Sequence, residues 1–383
     1  MARDTDASWE DGIRSLRADE FDGLRQLLET VFRPTMVAEY PYFYRPDNAG
    51  LMRVAVVDGQ VVSHIGTLRR YASICGCTVR VASLGGVATY EEHRGKGYAT
   101  ALLEDTIRDC REDGVDFMLV SGYRKMYHRY GCRYVGRDRE FKLSADDVEG
   151  LGVEGLELLD AGVEDLPAIA EVYRREPVRW LRPLSDYTYA FESFVMNRPS
   201  AFHIVCDRGS LRGYFIVQVP REQDEGKSDI LEMAGDRGAL VGALGLLNQR
   251  YDLKELRLHV LGTDGPLLDL LRGRGLHGEP AHSSGTATLI NFQQFMDRMR
   301  PHFAEIVGSG EAEGMVFHEK GNECHFHYGG DCIVAENRGQ AIELIFGTLD
   351  DREEGILAGR GKAEEVFREL FPIPALWYGI NYL

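Results

Sequence analysis

The stretch Val87-Ala88-Thr89-Tyr90-Glu91-Glu92-His93-Arg94-Gly95-Lys96-Gly97-Tyr98-Ala99-Thr100-Ala101-Leu102-Leu103 decides how this chain is read. It reads as the end of a strand, a glycine-bearing turn, and a helix running from about Tyr98 to Glu112. Such a turn leaves several backbone N–H groups pointing at one spot, at the positive end of a helix dipole. Arg94 and Lys96 add cationic side chains beside it. The combination predicts a phosphate-binding site, and a pyrophosphate site in particular.

Other nucleotide motifs do not fit. The chain has no G-x-x-x-x-G-K-[ST], and no G-x-G-x-x-G in a strand–helix–strand context. Arg94-x-x-Gly97-x-Ala99 instead has the form R-x-x-G-x-[GA], which resembles the acetyl-coenzyme A loop of the GNAT acetyltransferase superfamily. About 30 residues on, Asp116–Ser121 is a short apolar run that reads as the next strand. Behind it, Tyr127-His128-Arg129-Tyr130-Gly131-Cys132 is similar to the superfamily's Y-x-x-x-G-[FY], with Cys132 where an aromatic is usual. Two ordered matches at this separation are far more specific than either alone.

Composition narrows the class. At 383 residues the chain is long enough for two or three domains. No apolar run approaches the roughly 18–20 residues that span a bilayer, so no membrane partner is expected. Residues 1–6, Met-Ala-Arg-Asp-Thr-Asp, are polar rather than signal-like, which points to the cytoplasm. Seven scattered cysteines suit reduced thiols, and Cys75-Gly76-Cys77 reads as a turn between strands. The net charge of −17 argues against nucleic acid and favours cationic ligands steered by long-range field.

Around the opening stretch, Glu20–Phe32 has helical spacing, and Leu51–Val57, Asp58-Gly59 and Gln60–Val62 read as a hairpin. Strands follow through Ile65–Ile74 and Thr78–Thr89, so residues 1–140 resemble a GNAT fold throughout. From about Leu156 the order of elements restarts. Where the loop should recur stands Gly235-Asp236-Arg237-Gly238-Ala239, without the motif and without a tyrosine at the acid position. That reads as an internal duplication with one copy lacking the chemistry. The last hundred residues resemble a sterol-carrier-protein-like domain, and the apolar end Leu370–Leu383 is expected to be docked.

The whole is similar to the Eis-like (enhanced intracellular survival) acetyltransferases. The fold class expected is α+β. It comprises tandem GNAT folds, with mixed, largely antiparallel sheets flanked by helices, plus an α/β sterol-carrier-like domain. The expected divisions are 1–145 (catalytic), 146–284 (degenerate) and 285–383 (sterol-carrier-like). The family resemblance also implies an assembly of up to six chains.

The resemblance assigns roles. Acetyl-CoA is the co-substrate, its pyrophosphate held by Arg94, Gly95, Lys96, Gly97, Tyr98, Ala99 and Thr100. Its pantetheine arm meets the backbone of Val87, Ala88 and Thr89. Tyr127 is the general acid for the leaving thiolate. Phenol has a pKa near 10 and thiol near 8.5, so complete transfer costs roughly 2 kcal/mol and the proton is delivered late. In Eis-like enzymes the C-terminal carboxylate reaches the first domain's site; here that is Leu383. An α-carboxylate is a weak base for direct abstraction, and better suited to holding the ammonium and relaying its proton through water. The first helix and its loop, with Phe32, Glu39, Tyr40 and Tyr42, are expected to line the amine pocket.

Two further clusters lie outside these motifs. In Cys324-His325-Phe326-His327, with Cys332 beyond, a strand puts the two histidines on one face and Cys324 on the other, which reads as a solvated face; no metal is expected. His282-Ser283-Ser284-Gly285 lacks a nucleophile elbow. The expectation is an acetyl-CoA-dependent N-acetyltransferase acting by direct transfer on a primary amine: a small cationic amine, an aminoglycoside-like molecule or a lysine side chain. The alternative is a non-enzymatic CoA-responsive or lipid-binding module.

Overall fold

The computed structural model describes residues 11–383 except 123, 284 and 360. The reading of residues 1–6 and that of Ser284 therefore lie outside the described residues. In the first sheet, Asp58 and Gly59 both take positive φ (50° and 74°), as a two-residue hairpin turn requires. They join β2 (Met52–Val57) to β3 (Gln60–Ile74). Cys75 and Gly76 (φ 48° and 80°) make the equivalent turn into β4 (Cys77–Thr89), and both flanking cysteines are free thiols. With β1 (Gly12–Ser15) and β5 (Phe117–Val120), the order is β1-β2-β3-β4-β5, antiparallel except that β4 and β5 run parallel.

Helix α1 (Phe21–Val31) buries Phe21, Leu24, Leu27 and Leu28, as their spacing dictates. Helix α2 (Tyr98–Glu112) follows β4, and the short α3 (Lys125–Arg129) follows β5. The strand after α3 does not complete this sheet. β6 (Asp138–Leu143) joins the second sheet, while Thr286–Leu289 pairs antiparallel with β5 in its place. Along one strand, residues of one parity face the same side of the sheet. A sequence reading can place β6 as a strand but cannot say which sheet it closes.

The second sheet repeats the first. Its order is Leu156–Asp160, Arg198–Asp207, Ser210–Gln218, Lys227–Gly235, Glu255–Val260, then β6 and Glu279–Ala281. Again one pair is parallel, Lys227–Ile230 with Glu255–Leu258. Helix Arg237–Tyr251 occupies the place of α2. Its N-terminus is already filled. Asp236 accepts from the Ala239 N–H (2.8 Å), and Glu176 accepts from the Gly235 N–H (3.1 Å) while pairing with Arg237. Two carboxylates thus stand where an anionic ligand would bind. The chain forms tandem GNAT-type folds, and only the first keeps an open turn.

The remaining elements are a long helix, Phe292–Val307, a three-stranded antiparallel sheet (Val316–Lys320, Glu323–Tyr328, Asp331–Ala335), and helices Arg338–Phe346 and Gly361–Leu370. Phe295 and Phe346 pack on Phe117 of β5, ring centroids 5.2 and 5.3 Å away, so this layer continues the core of the first sheet.

The apolar end is docked along both sheets. The Trp377 indole donates to the Leu231 carbonyl (2.9 Å) and stacks on His259 (4.0 Å), just where the parallel pair of the second sheet ends. The Ile380 N–H donates to Glu232, which is clasped by Arg182 (2.8 and 2.9 Å) and by the Tyr214 hydroxyl (2.7 Å) in a buried cluster.

Candidate active site

Pairing of β4 with β5 stops at Leu84 and Val120, yet β4 continues to Thr89. β5 ends there, so beyond that point the two chains part and the last residues of β4 have no strand partner on that side among the described residues. The cause is local. A register shift lies between His64 and Gly66 of β3 opposite Gly85–Ala88, and Gly86 takes φ +62°. A Cβ on Gly86 would stand 2.1 Å from the Tyr44 hydroxyl, so only glycine fits. His64 lies fully buried beneath, its Nδ1 2.7 Å from the Gly86 carbonyl, and its Nε2 has no partner among the described residues. Burial pushes its pKa down to about 4 against the effect of that hydrogen bond, so the ring is neutral and Nδ1–H donates.

The cleft begins at this splay and runs to α2, with a volume of about 600 Å³. Val87, Thr89, Arg94, Gly95, Gly97, Tyr98, Ala99 and Thr100, all expected from the sequence, form its wall together with Val31, His93 and Arg124. Gly95 and Gly97 have φ of +75° and +88°, and Gly97 caps the helix; its carbonyl accepts from Ala101 (3.0 Å), so the amides of Tyr98, Ala99 and Thr100 precede the first helical bond. Arg94 also donates to the Thr89 carbonyl (3.3 Å). Two expected residues sit apart. Ala88 is buried with its carbonyl turned to β3, accepting from Ser63 (2.9 Å), and Lys96 is exposed and not part of the described wall.

The far end of the splay is occupied by the end of the chain. Leu383 is buried, and a Cβ on Gly85 would lie 2.4 Å from its carboxyl carbon. Ser121, at the end of β5, donates to a Leu383 oxygen (2.9 Å). Tyr42 donates to the Tyr382 carbonyl, which fixes the approach. Tyr127 on α3 is buried in the same apolar cluster as Leu383, its ring 3.3 Å from where a Cβ on Gly122 would stand. Burial raises the Tyr127 phenol above its ordinary pKa, with Arg124 pulling the other way. Gly131, at φ +79°, turns the chain so that the Cys132 N–H returns to the Tyr127 carbonyl (3.1 Å), which explains the four-residue spacing.

The expected amine-pocket residues divide. Tyr40 and Tyr42 are buried beside the terminal segment, and burial raises both phenols. Glu39 is buried too. Burial raises its carboxyl, but hydrogen bonds from Arg33 (2.8 Å) and Thr35 (2.6 Å) outweigh it and hold the pKa below the ordinary value. Its charge is thus committed to Arg33. Phe32 lies at the end of α1, 38% exposed. The second unit closes this loop from outside: Tyr189 accepts from Arg45 (2.7 Å) and Ser193 donates to the Ala38 carbonyl (3.0 Å). Sequence reasoning missed Ser121, Arg124 and the His64–Tyr44 pair. Arg124 carried a usable signal, a cation just before the tyrosine helix.

A splayed parallel pair, a bulged strand beside it, and a glycine-opened helix N-terminus form one cleft. Residues 12–135 match the family model described as an acetyltransferase (GNAT) domain. The first unit is a GNAT acetyltransferase domain. A GNAT domain transfers an acyl group and takes an acyl-CoA as co-substrate. No curated protein matches the chain. Solved structures extend the likeness over the whole length. A probable N-acyltransferase from Enterococcus faecalis is 15% identical at a TM-score of 0.68, covering 98% of this chain and 97% of that one. A GCN5-related N-acetyltransferase from Anabaena variabilis is 14% identical at 0.70, covering 96% and 99%. Eis1 from Mycobacterium abscessus is 14% identical at 0.66, covering 97% and 100%. At these identities the likeness is one of fold, and it runs beyond the GNAT domain to the rest of the chain.

Proposed function

We propose that the chain transfers an acetyl group from acetyl-CoA directly to the primary amine of a small cationic substrate. Tyr127 serves as general acid, and the Leu383 carboxylate holds the ammonium. The observation that carries this reading is the seat of Leu383 between β4 and β5, hydrogen-bonded to Ser121 and clustered with Tyr127. In this reading a carboxylate there meets the amine beside the thioester, while the helix amides and Arg94 that line the cleft take the pyrophosphate.

The step is a displacement at the thioester carbonyl. The amine nitrogen forms the new C–N bond, the C–S bond breaks, and the nitrogen's proton leaves through water held by the carboxylate. Tyr127 hydrogen-bonds the departing sulfur. Its raised pKa widens the roughly 2 kcal/mol gap between phenol and thiol, so the proton moves late. Holding both reactants in one cleft supplies several kcal/mol of the acceleration. The net charge of −17 favours a cation over a neutral amine. A lipid-binding reading fares worse, because the last layer's interior is filled by packed rings: Phe292–Phe326 at 4.9 Å and Phe326–Phe367 at 5.7 Å.

Thiol release from acetyl-CoA across polyamines, aminoglycosides, amino acids and a lysine peptide tests the proposal, with Tyr127→Phe and a chain lacking Leu383 run alongside. Turnover on a small cationic amine that collapses in both variants is expected. Turnover surviving both, or confined to the peptide, overturns it.

A further inference from the structure

We propose that the outer face of the three-stranded sheet holds a divalent metal ion of the zinc class, ligated by His318, His325, His327 and Cys332. Strand register brings them together: His318 lies opposite His325, and His327 opposite Cys332. Directly opposed residues share a face, so three adjacent strands present one cluster. The other face carries Phe317, Cys324, Phe326 and Ile333, all buried. Cys324 therefore points away, as its parity dictates, while His318 enters from a neighbouring strand that the local motif did not include.

The distances suit a tetrahedral site. Zinc with sulfur at about 2.3 Å and nitrogen at about 2.05 Å places S and N about 3.6 Å apart. The Cys332 sulfur lies 3.7 Å from His325 Nδ1 and 3.5 Å from His327 Nε2. Ligand atoms of the three histidines all fall within 4.8 Å of one another, a group that the Cys332 sulfur borders without joining, and the three rings lie stacked, 12–14° from parallel. Tetrahedral nitrogens at about 2.05 Å from zinc lie about 3.3 Å apart, so binding turns the stacked imidazoles about their χ angles, closes them by up to about 1.5 Å and draws Cys332 in. Glu323 holds His325 Nε2 at 3.0 Å, which leaves Nδ1 free to face the sulfur. That carboxylate–histidine pairing is the arrangement that orients metal-bound imidazoles. One thiolate with three imidazoles selects zinc or its borderline neighbours over calcium or magnesium. With Cys332 drawn in as the fourth ligand no position stays open, so the ion staples the strands and takes no part in chemistry.

The test uses the full chain without a histidine tag, stripped with chelator and titrated with zinc against a chromogenic chelator, then with cobalt(II). One equivalent of zinc, a raised melting temperature, and a tetrahedral cobalt spectrum with a thiolate charge-transfer band are expected. Cys332→Ser removes that band, and Glu323→Gln weakens zinc binding roughly 10-fold. Both residues lie on the outer face, so circular dichroism reports whether the fold is kept. Zinc uptake no greater than that of a His318→Ala/Cys332→Ser double variant, or an octahedral cobalt spectrum, overturns the assignment.

Discussion

The hydroxyl of Ser121 and a terminal oxygen of Leu383, 262 positions apart in sequence, are joined by a 2.9 Å hydrogen bond. A bond from a neutral donor to a charged acceptor is worth about 1.5–3 kcal/mol. Ser121→Ala should therefore lower kcat/KM for the amine roughly 10- to 100-fold and leave KM for acetyl-CoA unchanged. Steady-state kinetics with each substrate varied in turn checks this.

Gly85 tests the same seat by sterics. Its φ is not positive, so alanine is acceptable to the backbone, but the new Cβ meets the Leu383 carboxyl carbon at 2.4 Å. Gly85→Ala should displace the tail and match the activity loss of a chain lacking Leu383. Faster carboxypeptidase cleavage of the variant than of the parent is the accompanying sign.

Gly97 caps α2 at φ +88° with nothing within 4 Å of a Cβ, so the cost of Gly97→Ala is conformational alone. A left-handed alanine costs about 1–2 kcal/mol. Relief of that strain should move the amides of Tyr98–Thr100, raising KM for acetyl-CoA roughly 10-fold while kcat with saturating cofactor is retained.

Arg182 and Glu232 are both buried and paired, and Glu232 also receives the Ile380 N–H. Removing one member leaves an uncompensated buried charge, at about 3–5 kcal/mol. Arg182→Ala should lower stability by that amount in urea unfolding and, by loosening the terminal segment, reduce turnover as well.

His64 is neutral in the folded chain, its pKa depressed from 6.5 to about 4. Between those values the unfolded chain binds a proton that the folded one does not, so stability falls as pH drops from 6.5 towards 4, by roughly 3 kcal/mol in total. The urea midpoint of the parent should slide through this window, and that of His64→Gln should slide less.

Local chemistry was legible in the sequence wherever it depends on neighbours along the chain. Asp58-Gly59 specified its turn, Gly95 and Gly97 opened the helix start, and Tyr127 with Gly131 marked α3, because each rests on φ or on spacing within one turn. What depends on pairing between distant segments was not. β6 and Thr286–Leu289 are both readable as strands, but parity says nothing about which sheet each closes. Glu39, expected to line the amine pocket, is held by Arg33 and Thr35 through side-chain geometry that spacing alone does not show. His318 joins His325 and His327 through register alone.

The exchange of closing strands has a consequence for how the chain reaches its folded state. As it leaves the ribosome, the GNAT domain has its cofactor loop and tyrosine helix in hand but a bare β5 edge. That edge waits for Thr286–Leu289, and the cleft waits longer still, for Leu383. Meanwhile β6 is already made, but the Glu255–Val260 strand it pairs with lies more than a hundred residues further on. The two units are interlocked rather than strung together. A fragment cut after residue 145 keeps the loop and tyrosine motifs but lacks the strand that closes its sheet, so the first unit is not a separable module of this fold.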